Sequence, residues 1–292
     1  MILGLSFALV SALGTNLSGL FKARGAVAIE RPVQVRHPVR SAADLFRSRW
    51  FAVGWMIALF AWGLHIEALA LAPLTTVQAI LSGGLVFLAV LAERFFGFRL
   101  ARRQWAGVTI TAAGLAMIGL TATAEGPQRS SLAALIAVET AVLAVGVGLV
   151  WISTHRDVER RGEALLLATA AGVLFGVSDV AIKYLTHAQG PILGLLSPWT
   201  LTALISFAIS FYASARSLQI GSAIEVIAIT SVAANLSAIL GGILVFGEPI
   251  GSGATAITVR LLAFGLVIAG AALVPAPLRV TSNRPSQQTA AG

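Results

Sequence analysis

Apolar residues along this chain arrive in long runs, broken by short polar or basic stretches. Each run has about the 20 residues that carry an α-helix across a hydrocarbon layer of about 30 Å. Nine spans follow: 2–22, 50–72, 73–93, 104–122, 131–152, 164–186, 193–214, 218–246 and 255–274. The pattern predicts an all-α polytopic membrane protein, because a helix satisfies its backbone polar groups internally and hydrocarbon offers them no other partner. The eighth span, at 29 residues, is longer than the layer requires. It must tilt, protrude or break, with Gly241 and Gly242 as the expected weak points. The tail 275–292 is polar and Pro-containing and reads as disordered.

Basic residues fix the expected orientation. The first run has no positive segment before it, and its charges Lys22 and Arg24 follow it, so it reads as an uncleaved helix with its N-terminus outside. Nine spans then place the C-terminus in the cytoplasm. This arrangement puts 17 of the 20 basic residues on the inner side, as the positive-inside rule requires of an inner or plasma membrane protein. The one large connection, 23–49, is basic and reads as a solvated segment beside anionic lipid head groups.

Composition agrees and narrows the classes. The chain is 57% hydrophobic and 11% charged, against roughly 25% charged in a soluble domain. Its net charge of +8 lies between spans, so the expected partners are membrane lipids and not nucleic acid. Cysteine is absent, which removes disulfides, thiolate metal sites and thiol nucleophiles. There is no HExxH, GxSxG or P-loop pattern, and the four histidines are dispersed. Neither an enzyme nor a cofactor is expected.

An internal repeat organises the chain. Residues 5–22 lie over 166–183, matching Leu5 with Leu166, Leu13 with Leu174, Ser18 with Asp179 and Lys22 with Lys183. Further on, "LAERFFGF" (91–98) resembles "VFGEPIGS" (245–252), placing Glu93 and Glu248 at equivalent span ends. Under the nine-span topology the two copies run in opposite directions. Inverted repeats of this kind let a transporter alternate around a midplane site. The halves are 1–152, with five helices, and 153–274, with four.

The Gly-rich first helix ending in Lys22, the segment "ALALAPLTTVQAIL" (68–81) and the "FGE" end of the eighth span (246–248) resemble the drug/metabolite transporter (DMT, EamA-like) superfamily. Nine helices, an external N-terminus and "GVLFGVSDVAIK" (172–183) resemble its NIPA-like branch. The resemblance implies a membrane transporter moving a small solute, metabolite or cation, by alternating access. Some NIPA-like relatives are described as magnesium transporters, so a divalent cation is the alternative cargo. A membrane scaffold without transport is the remaining alternative, and a homodimer is allowed.

A charge placed in hydrocarbon costs several kcal/mol unless it is paired or hydrated, so polar groups within spans are the candidate pathway. Asn16, Glu67, Asp179 and Glu225 are expected to contact solute or ion, and Lys22 and Lys183 to act as symmetric gate or pairing charges. Glu139, isolated at the centre of the fifth span, has an open role. Asp179 and Lys183 stand four residues apart and can pair on one helix face, with Lys183 reaching outward to the interface. Gln78 and Asn235 are read as bridging helices or contacting solute. Trp50, Trp55, Trp105, Trp151 and Trp199 are expected in the aromatic belt, and Trp62 deeper. The cavity should be lined by spans 1–4 and 6–9. No metal site is assigned.

Overall fold

A computed structural model describes residues 2–29, 33, 38–95, 101–120, 131–188, 197–248 and 253–273. These form α1 (Ile2–Val27), α2 (Pro38–Arg47), α3 (Arg49–Leu71), α4 (Leu74–Phe95), α5 (Arg102–Leu120), α6 (Leu132–His155) and α7 (Arg160–Ala188). Three more follow: α8 (Pro198–Ile220), α9 (Ala223–Phe246) and α10 (Ala254–Leu273). Each long helix falls on one of the apolar runs. Six of them, α1, α3, α6, α7, α8 and α9, are long and apolar enough to cross a membrane by length and composition. The chain is therefore a multi-pass membrane protein. Residues 193–196 and the tail 275–292 lie outside the described residues.

Local chemistry sets the helix ends. Ser131 caps α6 by accepting from Ala134 N at 3.2 Å. Ser197 caps α8 ahead of Pro198, whose missing N–H costs nothing in a first turn. Gly247 ends α9 with φ +62°, a left-handed conformation that a side chain would strain.

Two expectations change here. The eighth run does not break at Gly241 and Gly242, which stay helical. It is divided at Gly221 and Ser222, where α8 stops and α9 begins. Connection 23–49 is not simply a solvated segment: α1 continues to Val27, and Pro38–Arg47 is a strongly amphipathic helix. Leu45 of α2 is fully buried and Phe46 stacks on Trp55.

The helices pack in two similar sets. α1 lies against α3 and α4, while α7 lies against α8 and α9. The sets meet where α4 touches α9 and α1 touches α8, and α5 packs along α10. Small residues allow that last approach: a Cβ on Gly107 would stand 2.7 Å from Gly270 O, and one on Gly114 2.7 Å from Ala263 O. Large side chains such as Met56, Phe60, Leu201, Leu204 and Leu261 cover the outside, a surface suited to lipid.

Candidate solute cavity

Between the two sets lies a cavity of about 210 Å³. It draws its lining from α1, α3, α4, α7, α8 and α9. Among the described residues spans 4 and 9 do not contribute to this lining, and α5 and α10 pack along each other at one side.

One end is organised by Asp179 of α7. Its Oδ1 lies 3.0 Å from His65 Nε2 on α3, and its Oδ2 accepts from Gln78 Nε2 on α4 at 2.8 Å. Three helices are thus joined through one carboxylate. The expected pairing with Lys183 does not form. Both Asp179 oxygens already have donors from the facing set, which an intrahelical partner cannot match in geometry.

Lys183 instead points the opposite way. It is 0% exposed, and its Nζ donates to Leu69 O and to Ala72 O, the latter at 2.8 Å. These carbonyls end α3, where helical hydrogen bonding runs out and the helix dipole is negative. An ammonium there replaces missing donors, so Lys183 does not reach outward to water.

The other side of the same turn is held by Glu248. Its Oε1 accepts from Leu74 N at 2.7 Å and its Oε2 from Thr75 N at 2.8 Å. These N–H groups open α4, where a carboxylate meets the positive end of a helix. Gly247 makes this reach feasible by turning the chain back at the end of α9.

The opposite end of the cavity contains Lys22 of α1. Among the described residues its ammonium has no hydrogen-bond or ion-pair partner. Beside it run aromatic rings: Trp55 stacks on Phe211 at 5.6 Å and lies 5.9 Å from Phe207, which in turn meets Phe175 and Trp62. Trp55 therefore lines the cavity rather than the expected interfacial belt, and Trp62 lines it too.

The remaining candidates separate. Asn16 lines the cavity, 3% exposed, with Nδ2 donating to Ala12 O and Oδ1 lacking a partner. Glu67 is exposed on α3 and lies outside the cavity lining. Glu225 also lies outside it, in an ion pair with Arg161 at 3.1 Å in the first turn of α9. Glu139 is 4% exposed on α6, away from the cavity, with no partner for either oxygen. Gln78 and Asn235 both line the cavity. His65 is a site residue that the sequence analysis does not single out: a lone histidine two residues before Glu67 carries no spacing signal for its contact with Asp179.

The cavity donor set is poor in metal ligands. Among the described residues no group of three or more His, Asp or Glu side chains could hold a metal ion.

Comparison with known proteins gives two informative relatives. An uncharacterized protein of Corynebacterium glutamicum is 31% identical over 259 residues, covering 85% of this chain and 86% of its own. The chain belongs to the same family as that protein. It is also similar to an Arabidopsis thaliana protein described as "Probable magnesium transporter NIPA9", 24% identical over 296 residues, with 94% of this chain and 81% of the plant protein covered. No family model and no solved structure matches. At 94% of this chain, the likeness to the plant protein runs through both helix sets.

Proposed function

We propose that this protein is a nine-span membrane transporter of the drug/metabolite type, carrying a small solute through the central cavity by alternating access between two inverted halves. The observation that carries this reading is an asymmetry at equivalent turns. In one half α3 ends at Leu69-x-x-Ala72, and Lys183 holds the carbonyls of those two residues. In the other half α8 ends at Leu218-x-x-Gly221, with Gly221 at the same extended capping position as Ala72. Lys22, the repeat partner of Lys183, is not bonded there and stands in the cavity.

The two lysines are thus in opposite states. Lys183, with Glu248, closes the α3–α4 end. At the α8–α9 end the ion pairs Arg161–Glu225 and Arg216–Glu163 join helices of the second half to one another, and Gln219 meets the first half by accepting from Val33 N at 2.8 Å and donating to Ala26 O at 3.4 Å. In the alternate conformation Lys22 takes the carbonyls of Leu218 and Gly221 while Lys183 lets go. On this reading, with the N-terminus outside, the α3–α4 turn gripped by Lys183 is the outer gate.

The cysteine-free chain makes the test direct. In oriented membranes, a single cysteine replacing Ser178 should react weakly with an impermeant maleimide from the α3–α4 side and strongly from the other. Lys183→Gln should reverse that preference. An unchanged labelling ratio, in a variant that remains folded, would sink the proposal.

A second reading is that the cargo is a divalent cation, favoured by the likeness to a probable magnesium transporter. Its expected result is Mg²⁺ uptake by proteoliposomes containing a Mg²⁺ indicator, lost in Asp179→Asn. Asp179 is the carboxylate of the cavity lining, and Mg²⁺ binds through carboxylates and retained water.

A further inference from the structure

We infer that the cavity takes a small organic anion, its negative group on Lys22 and its apolar body against the Trp55–Phe207–Phe211 wall. This rests on the transporter reading and names the class of its solute.

Lys22 supplies the first argument. An ammonium in a largely apolar enclosure is costly to leave without a counter-charge, yet Lys22 has none among the described residues. The cavity's carboxylate cannot serve. Lys22 packs on Gly54 of α3, where an added Cβ would meet its Cγ at 2.9 Å. Asp179 meets α3 at His65. Eleven residues of helix, about 16 Å at the helical rise, separate the two levels, further than a lysine side chain spans.

The surroundings supply the second. Phe51 and Trp55 flank Gly54 on α3, and Phe207 and Phe211 face them from α8. Trp55 Nε1 is a buried donor with no acceptor, one residue from Gly54. Two donors without acceptors beside stacked rings call for a ligand rich in acceptors and apolar in body. A divalent cation meets the reverse, since Lys22 repels it and the rings offer no oxygen.

Ligand binding and gating by Lys22 are compatible, because an ammonium has three donors. Two can take the α8 carbonyls while the third keeps the solute.

The test uses the purified full-length protein in detergent, with intrinsic tryptophan fluorescence and calorimetry as readouts. The probes are phenylacetate, phenyl phosphate, the neutral isostere phenylacetamide, phenethylammonium and MgCl₂. At least one of the two acids should bind saturably, with phenylacetamide about tenfold weaker or worse, the loss expected for one charge-assisted hydrogen bond. Comparing the two acids tells a carboxylate from a phosphate head. Lys22→Gln should erase the preference for the acid and Lys22→Arg should keep it.

Amide or ammonium probes binding as tightly as the acids would overturn the inference, as would an absence of acid binding. The acid and amide probes compare charge on the unaltered protein, so the result stands even where a Lys22 variant fails to fold. Acid binding without flux in proteoliposomes would overturn the transport reading and leave the ligand class standing. Mg²⁺ flux without acid binding would do the converse.

Discussion

Lys183 and Glu248 grip opposite sides of one turn. The lysine holds the last carbonyls of α3 and the glutamate the first N–H groups of α4, with Pro73 between them. Both side chains come from the second half of the molecule, so the turn joins the halves through charges placed on complementary helix ends.

Removing either charge should loosen this contact. A hydrogen bond to a charged group contributes about 1.5–3 kcal/mol, so Lys183→Met should lower the unfolding temperature clearly. Glu248→Ala should cost more than Glu248→Gln, which keeps one acceptor. Thermal unfolding followed by tryptophan fluorescence checks the order. Equal melting temperatures for all four proteins would contradict the clamp.

Asp179 should couple energetically to His65 across the two halves. Single and double replacements by alanine form a cycle, and groups in one buried network show interaction energies of about 0.5–3 kcal/mol. Chemical denaturation in mixed micelles measures it. Strict additivity would mean that the 3.0 Å contact has no energetic weight.

Glu139 should behave in the opposite manner. Its two carboxylate oxygens are buried without partners, so Glu139→Gln breaks nothing. The melting temperature should stay or rise, and binding of acid probes should not change. A loss above about 1 kcal/mol, the typical net contribution of one hydrogen bond, would reveal a partner.

The sequence made some of this legible and concealed the rest for physical reasons. Helix positions could be read because length and hydropathy are local properties. The division between α8 and α9 was present in "QIGSAIE", but an apolar run masks a turn that needs only Gly221 and Ser222. Lys22 and Lys183 could be matched through the repeat, yet not their different environments. Similar sequence around two lysines does not give them the same partners, because those partners are supplied by other helices. The Asp179–His65–Gln78 group brings α7 against two helices that lie more than a hundred residues earlier in the chain. Spacing carries no record of that contact, and the i, i+4 neighbour Lys183 was the more visible partner. Glu225 similarly looked like a cavity residue until Arg161 was found against it.

The groups that Lys183 and Glu248 hold are backbone atoms at helix ends, and water satisfies such atoms almost as well as a side chain does. Parting the halves at that turn would let solvent take over the four bonds rather than strand them in hydrocarbon. The contact is therefore a catch and not a weld: firm while the helix ends meet these two side chains, and cheap to open wherever water can take their place.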